Sequence, residues 1–392
     1  MGPRGHAACT TRSLMEHPET KLEQGRSVIV FLCGDVMTGR GVDQVLPHPC
    51  DPRIHEPFVD DAREYVRLAE TASGPVPRPV ELPYIWGDAL DELARLAPDA
   101  RIVNLETSIT GSDDRWPGKE IHYRMHPDNV GCLTSAGIDV CALANNHVLD
   151  FGHAGLRETL GTLTRARIKV AGAGLSLAEA REPALVDIAG VGRLVVFAFG
   201  DETSGIPASW AATDDRPGID FVPDLSEATA RAILERLRRV KRSRDIVVAS
   251  IHWGSNWGYQ VPQTQRRFAH WLLDGGVDIV HGHSSHHVRP IEIYRDKLIL
   301  YGCGDFLDDY EGIAGYEEFR DDLTAMYFPT VELATGRLES LRLTPMQIRA
   351  LRATRATPAD ARWLARTLQR VSRPFGTSVE LAADGRLAVH PG

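Results

Sequence analysis

The chain has 392 residues, which is enough for one large α/β domain or for two lobes. Its formal net charge of −9 argues against the basic face of a nucleic-acid-binding protein, so no nucleic-acid partner is expected. No apolar run approaches the roughly 20 residues of a membrane span, and the polar first 26 residues lack the apolar centre of a signal peptide. None of the six cysteines belongs to a C-x-x-C pair, and we expect a cytoplasmic protein without a membrane anchor.

The predicted elements alternate between strand and helix from residue 27 to residue 281. Residues 1–26 are expected to form a disordered tail, and the continuous apolar run 27–35 a strand buried on both faces. The proline-rich stretch 47–83, with one helix near 60–71, is expected to be an irregular insertion that covers a site. Further helices are predicted at 87–97, 128–136, 154–166, 226–241 and 264–273, and strands at 101–106, 139–144, 195–199, 245–251 and 277–281.

After residue 288 the pattern changes to hairpins. Short apolar runs flank turn sequences in three pairs, at 291–294 and 298–301, at 331–333 and 338–343, and at 379–381 and 387–390. Thr357-Pro358, between the last two pairs, is a good start for a helix. Strand–helix alternation followed by hairpins predicts an α/β fold with two packed sheets and helices outside. We expect one domain at 27–345, with a C-terminal helix and hairpin, 346–392, packed on it.

Five short apolar runs each end in a side chain that can bind a metal or take part in catalysis. In an α/β sheet the ligand site lies outside the carboxyl ends of the strands, so these five ends are expected to meet in one crevice. Each residue alone has an ordinary structural explanation, such as a helix cap, a solvated carboxylate or a core histidine. Their coincidence favours a metal-centred hydrolase. The side chains are Asp35, Glu106, Asn146 with His147, His252, and the histidines of 283–287.

The donor types indicate which metals fit. Imidazole and carboxylate ligands without thiolate suit Mn, Fe or Zn. There are too many donors for one tetrahedral ion, so two divalent ions bridged by a carboxylate are expected. Such a pair lowers the pKa of a bridging water, and a nearby imidazole can protonate the leaving group.

The order of these motifs resembles a known family. Gly34-Asp35, Asn104-Leu105-Glu106, Asn145-Asn146-His147, His252-Trp253-Gly254 and Gly282-His283-x-x-His286 look like the motifs of CapA-type capsule and poly-γ-glutamate biosynthesis proteins. That family belongs to the calcineurin-like metallophosphoesterase superfamily. The likeness runs from about Val28 to Asp308. It implies a four-layer α-β-β-α sandwich of the metallophosphoesterase type, with a hairpin-rich C-terminal part.

The resemblance also implies a role for each motif residue. Asp35 would hold the first metal and Glu106 would bridge both metals. His286 would be a further ligand of the first metal, and His147 would be the acid that contacts the scissile group. The ligands of the second metal would be Asn146, His252 and His283.

Two positions depart from the superfamily's pattern. Met37 stands where the first motif, Asp-x-His, has histidine, so the first metal site is expected to bind weakly. Asp305 stands where the family usually has asparagine, and it would either add a ligand or cap a turn.

The expected function is a dinuclear-metal-dependent hydrolase that cleaves a phosphoester, or an acyl or amide bond, of a small anionic or γ-glutamyl substrate. Contact with capsule or polymer synthesis proteins is a further expectation. The alternative is a non-catalytic accessory protein of poly-γ-glutamate or capsule assembly that binds polyanionic chains. Candidates for binding an anionic group, or else solvated surface residues, are Arg40, Lys119, Tyr123, Arg124 and Arg289, while Trp253 and Trp257 could wall the pocket.

Overall fold

The computed structural model describes Gly2 and residues 26–188, 190 and 192–392. The predicted tail at 1–26 therefore lies outside the described residues, apart from Gly2 and Arg26. The described part of the chain contains twenty strands and nine α-helices in a mixed α/β fold, which confirms the predicted class. None of the described helices is both long and apolar enough to cross a lipid bilayer.

The strands are numbered in chain order. They are β1 (Ser27–Val36), β2 (Ala100–Leu105), β3 (Ser108–Ile109), β4 (Arg124–Met125), β5 (Val140–Ala142), β6 (Lys169–Ala171), β7 (Ala173–Gly174), β8 (Ala184–Ile188), β9 (Gly192–Gly200), β10 (Gly218–Ile219), β11 (Asp245–His252), β12 (Ile279–His283), β13 (Ile291–Tyr294), β14 (Lys297–Leu300), β15 (Asp305–Leu307), β16 (Leu323–Glu332), β17 (Leu338–Ile348), β18 (Ala353–Arg355), β19 (Thr377–Leu381) and β20 (Leu387–Pro391).

The helices are numbered in the same way. They are α1 (Arg40–Val45), α2 (Arg63–Ser73), α3 (Ala89–Leu96), α4 (Gly131–Ser135), α5 (Gly152–Arg165), α6 (Leu177–Arg181), α7 (Glu227–Val240), α8 (Gln263–Asp274) and α9 (Pro358–Ser372). Thr357 accepts a hydrogen bond from the backbone N–H of Asp360 and so caps α9 at the predicted position.

Two large sheets carry most of the strands. The ten-stranded sheet has the order β19-β20-β17-β16-β1-β2-β5-β6, with β15 also paired to β1 and β18 to β17. Its half from β1 to β6 is parallel, and its half from β16 to β19 is antiparallel. The six-stranded sheet has the order β13-β14-β12-β11-β9-β8, with a parallel centre and an antiparallel strand at each edge.

The two sheets pack face to face, and helices cover their outer faces. Alternate residues of β1 show this arrangement, since successive side chains of a strand point to opposite faces. Val30 and Leu32 lie in the core between the sheets, whereas Phe31 and Cys33 lie in a second core formed with α1 to α5. A third core lies between the six-stranded sheet and the helices α7 and α8.

Most predicted elements are present, but several differ in length. The second predicted hairpin is much longer than expected, because β16 and β17 extend over 323–332 and 338–348 instead of 331–333 and 338–343. The helix predicted at 128–136 is shortened to 131–135, since a separate 3₁₀ turn at Pro127–Asn129 precedes it. The prediction did not include the short helices α1 and α6 or the strands β3, β4, β6, β7, β8, β10, β15 and β18.

The C-terminal segment joins the ten-stranded sheet through a buried carboxylate. β20 pairs with β17. Glu92 on α3 is almost fully buried and forms an ion pair with Arg355 of β18 and another, at 3.1 Å, with Arg386 beside β20. Thr344 of β17 also donates a hydrogen bond to it at 3.1 Å. One carboxylate therefore links α3 to three strands of the C-terminal half.

We expect Glu92→Gln to lower the free energy of unfolding by about 2 kcal/mol, because the buried carboxylate loses its charge and its charge-assisted hydrogen bonds to Arg386 and Thr344. Chemical denaturation followed by circular dichroism measures the change. The matched control is Glu227→Gln on the exposed face of α7, whose ion pair with Arg231 is largely solvated. That control is expected to cost less than about 1 kcal/mol. Equal losses in the two variants would contradict the role given to Glu92.

Candidate functional site

The carboxyl ends of β1, β2, β11 and β12 meet at one edge of the two sheets. Asp35 lies opposite Asn104 of β2 on one side and opposite Asp305 of β15 on the other. In the second sheet His252 lies opposite His283. Two residues before these strand ends, a hydrogen bond joins the two sheets: His281 donates through Nε2 to the backbone oxygen of Cys33 at 2.8 Å. The strand ends are therefore brought together as the sequence predicted.

A close backbone contact between β1 and β15 makes this arrangement possible. A Cβ atom at position 34 would lie 1.8 Å from the backbone oxygen of Gly304, so only glycine fits there. On the other strand end, Ser284 has a φ of 102°, which L residues rarely adopt. Its backbone N–H donates to Asp35 Oδ2 at 3.1 Å, and Asn104 donates to Asp35 Oδ1 at 2.8 Å. The Asp35 carboxylate is thus held by groups from both sheets.

Asp35, His252 and His283 form a buried group that could hold a metal ion. One ligand atom from each lies within 4.8 Å of the other two. The Nδ1 atoms of the two histidines are 2.8 Å apart, and His283 Nδ1 is 3.9 Å from Asp35 Oδ1. Asn146 is beside them, with its Oδ1 3.0 Å from His252 Nε2. Glu106 Oε1 lies 3.8 Å from the same His252 nitrogen.

The electrostatics of this group fit a cation. Burial, reinforced by the Asp305 carboxylate, raises the pKa of Asp35 to about 7. Burial and the neighbouring Asp35 raise the pKa of Glu106 well above its usual value. Burial lowers the pKa of both His252 and His283, which keeps the imidazoles neutral. A divalent ion relieves repulsion between buried carboxylates and binds neutral imidazoles, so the residues present suit a metal ion.

His147 lies at the edge of this group, and three side chains contact its ring. Its Nδ1 lies 2.7 Å from Asp150 Oδ2 and 2.9 Å from Lys119 Nζ. The ring of Tyr123 lies against it with 4.0 Å between the ring centroids. Its other nitrogen, Nε2, lies 3.9 Å from Glu106 Oε1. Burial, followed by the charge of Lys119, lowers the pKa of His147 well below its usual value.

Asp150 was not singled out in the sequence, although it follows His147 by three residues. It accepts from the backbone N–H of Tyr123 at 2.6 Å and also forms an ion pair with Lys119. Burial raises its pKa to about 6, against the opposing charge of Lys119. The spacing of His147 and Asp150 across one tight turn is the sequence signal that could have found this pair.

His286 is not one of the three residues of the buried group, and it pairs with Asp305. Its Nδ1 is 3.0 Å from Asp305 Oδ2, and its Nε2 is 2.9 Å from the amide of Asn256. Burial lowers the pKa of His286, but Asp305 more than offsets this and the pKa is raised. The Asp305 side chain therefore faces the site rather than capping a turn. Met37 is buried beside it, where its sulfur accepts from the hydroxyl of Tyr310 at 3.5 Å.

A cavity of about 540 Å³ opens above these residues. It is lined by seven of the predicted site residues, of which six carry ionisable groups and one carries an amide. The remaining wall is formed by one glutamate and by tyrosine, isoleucine, glycine and small polar residues. Its lining residues are Arg40, Tyr65, Glu106, Gly118, Lys119, Glu120, Ile121, Tyr123, Asn146, His147, Asn256, Ser284, His286, Tyr310 and Ile313.

Four of the residues predicted to bind substrate do not line this cavity. Trp253 is buried in the core, where its indole N–H donates to the backbone oxygen of Tyr301 at 3.1 Å. Arg289 donates to the backbone oxygen of Ser255 at 2.6 Å. Trp257 is stacked on Tyr316 with 3.8 Å between ring centroids. Arg124 lines a separate cavity of about 260 Å³.

Comparisons with known proteins agree with the motifs. The family model for bacterial capsule synthesis proteins, PGA_cap, matches residues 29–310. A crystal structure of a Thermus thermophilus protein aligns with 80% of this chain and 98% of its own at 9% identity. Its TM-score of 0.35 is too low to carry an argument about the fold.

Two relatives are similar over most of their length. A Mycobacterium tuberculosis protein named "Probable polyglutamine synthesis accessory protein" is 48% identical over 93% of this chain and 96% of its own. The "PGA biosynthesis protein CapA" of Bacillus subtilis is 30% identical over 88% of this chain and 77% of its own. Together with the family match, these similarities show that the chain belongs to the family of bacterial capsule synthesis proteins of the CapA type.

Proposed function

We propose that the protein is a metal-dependent hydrolase that cleaves a phosphoester, or an acyl or amide bond, of a small anionic or γ-glutamyl substrate. The observation that carries this proposal is the position of Glu106. Its Oε1 lies 3.8 Å from a nitrogen of His252, in the buried donor group, and 3.9 Å from Nε2 of His147 at the cavity wall. Metal donors and a titratable imidazole therefore face the same space.

The donor set supports two divalent ions, Mn, Fe or Zn. Asn146, His252 and His283 would hold one ion, Asp35 and His286 the other, and Glu106 would bridge them. Met37 stands where the superfamily has a histidine ligand, and a thioether is a poor ligand for these ions. The ion at Asp35 would therefore have fewer imidazole ligands and would bind more weakly. Bound ions would polarise the scissile group and lower the pKa of a water.

His147 would handle the proton of the leaving group. Asp150 lies at Nδ1 and the Tyr123 ring lies against one face, so the imidazole is fixed with Nε2 toward the cavity. An imidazole fixed in this way transfers a proton without first having to be oriented. Asp150 would select the ring orientation, and Lys119 would hold Asp150 in place.

The fold that accompanies this chemistry would be the four-layer metallophosphoesterase type. The face-to-face sheets with helices on both outer faces support this assignment, as does the site at the carboxyl strand ends. Residues 27–345 would form the catalytic domain, with 346–392 packed on it.

The second candidate is an accessory protein of polymer assembly. It is favoured by the name of the Mycobacterium tuberculosis relative, which describes that protein as an accessory protein of polyglutamine synthesis. In this role the cavity would bind a chain without cleaving it, and capsule or polymer synthesis proteins would be the partners.

The metal site is tested by removing one donor. His283→Ala is expected to lose at least the ion that Asn146, His252 and His283 would hold, because it removes one of the donors proposed for that ion. Elemental analysis of protein purified after metal supplementation gives the metal content per chain. The control is His270→Ala on α8, whose ring pairs with Glu292 away from the donor group and which should keep its metal. Full metal content in folded His283→Ala would contradict the assignment.

The catalytic role of His147 separates the two candidate functions. His147→Ala is expected to reduce turnover by roughly 10²–10⁴-fold while metal content stays near that of the unmodified protein, because a general acid is lost and no ligand is removed. Turnover is measured on a metal-supplemented panel of phosphoester and γ-glutamyl substrates, with metal content measured on the same samples. Loss of metal together with activity would make His147 a ligand. Absence of turnover in the unmodified protein across the panel would favour the accessory role.

A further inference from the structure

Ser250 and His281 lie two residues before the donors His252 and His283 on the same two strands. The register of β11 and β12 places Ser250 opposite His281 and His252 opposite His283. Alternate residues of a strand point to one face, so these four side chains face the core between the sheets, as Val248 does. Ser250 and His281 are fully buried. Buried polar groups need hydrogen-bond partners, and the partners of these two lead to a metal donor.

The hydrogen bonds of this group form one network, whose direction is fixed at the backbone of β1. The backbone oxygen of Cys33 can only accept, so Nε2 of His281, at 2.8 Å, carries a hydrogen and donates it. The other nitrogen of His281, Nδ1, lies 3.1 Å from Ser250 Oγ. The two groups that these nitrogens contact are uncharged, and a buried charge without an opposite charge is costly. His281 is therefore neutral, and its Nδ1 accepts from the Ser250 hydroxyl.

The Ser250 hydroxyl in turn determines which nitrogen of His283 carries hydrogen. A hydroxyl has one hydrogen, and His281 accepts it. Ser250 Oγ also lies 2.9 Å from Nε2 of His283, and in this second contact it must accept. Nε2 of His283 therefore carries a hydrogen, and the lone pair of this neutral ring is on Nδ1. Nδ1 is the nitrogen that faces the donor group, 2.8 Å from Nδ1 of His252 and 3.9 Å from Asp35 Oδ1.

We infer that Ser250 and His281 are positioning residues of the metal site, which keep a hydrogen on Nε2 of His283 and so present Nδ1 as its metal-binding nitrogen. This inference rests on the metal site of the proposed function and assigns that site two residues that are not ligands. A histidine without such a network divides between two tautomers, and only the one with its lone pair on Nδ1 can bind an ion beside Asp35. The network starts on β1, so the strand that carries Asp35 also sets the tautomer of a donor in the other sheet.

The tautomer is tested by nuclear magnetic resonance of metal-free protein that contains isotopically labelled histidine. Protonated and unprotonated ring nitrogens differ widely in chemical shift, and His283→Gln identifies the signals of His283. The unmodified protein is expected to have a hydrogen on Nε2 of His283 and none on Nδ1. Ser250→Ala is expected to populate both tautomers, whereas Ser250→Thr keeps the hydroxyl and the single tautomer. A hydrogen on Nδ1 of His283 in the unmodified protein would overturn the inference.

The consequence for metal binding is measured by competition with a chelator for the more tightly bound Zn²⁺. Ser250→Ala is expected to weaken the affinity by roughly 10–100-fold, and Ser250→Thr should stay close to the unmodified protein. His281→Leu leaves the Ser250 hydroxyl free to donate to His283, so it should weaken the affinity as well. The matched control is Ser372→Ala, which removes another fully buried hydroxyl, one that accepts from the backbone N–H of Ile291 at 3.0 Å. That control should keep its affinity for Zn²⁺.

These measurements also separate the inference from the proposed reaction, because neither of them uses turnover. Unchanged affinity in folded Ser250→Ala, or the same loss in Ser250→Ala and in Ser372→Ala, would contradict the positioning role. Unchanged affinity in folded His281→Leu would contradict the part assigned to His281. A protein that binds Zn²⁺ with the expected tautomer but hydrolyses no substrate would support the inference and contradict the hydrolase function.

Discussion

The strand β1 imposes the constraint on which the rest of the molecule depends, because it is buried on both faces. Its alternate side chains belong to two different cores, one between the sheets and one under the helices. A strand in this position needs neighbours on both sides, and it has β2 on one side and β16 with β15 on the other. Asp35 is carried at the end of this rigid strand, so its carboxylate has a fixed position. The site depends on that position more than on any loop.

This constraint explains which parts of the fold could be predicted. Strands that are buried on both faces appear in the sequence as continuous apolar runs, and β1, β9 and β11 were found for that reason. The donors at the ends of β1 and β11, Asp35 and His252, followed directly, because each ends its apolar run. β16 was found only in part, since Pro329 lies within it and proline normally argues against a central strand. β8 was missed because its alternation is short and follows a brief helix.

The features of the site that the sequence did not predict have a different cause. The sequence shows which side chains carry a charge, but it does not show with which residue each of them forms an ion pair. Arg40 was a candidate either for binding an anionic group or for a solvated surface position, yet it is buried between Glu56 and Asp309, which lie 16 and 269 positions away in the chain. The pairing of His286 with Asp305 is equally a product of tertiary structure. These pairings decide the electrostatic character of the cavity, and they depend on contacts that no local pattern records.

The position of β1 between an early and a late strand also has a consequence for biosynthesis. Its parallel partner β2 follows closely in the chain, but its antiparallel partner β16 begins only at Leu323. During synthesis one edge of an apolar strand therefore stays open until nearly the whole chain has left the ribosome. Such long-range pairing is slow, and open edges of this kind attract other chains. A fragment limited to residues 29–310, which carries every family motif, would lack β16 and could not complete the sheet.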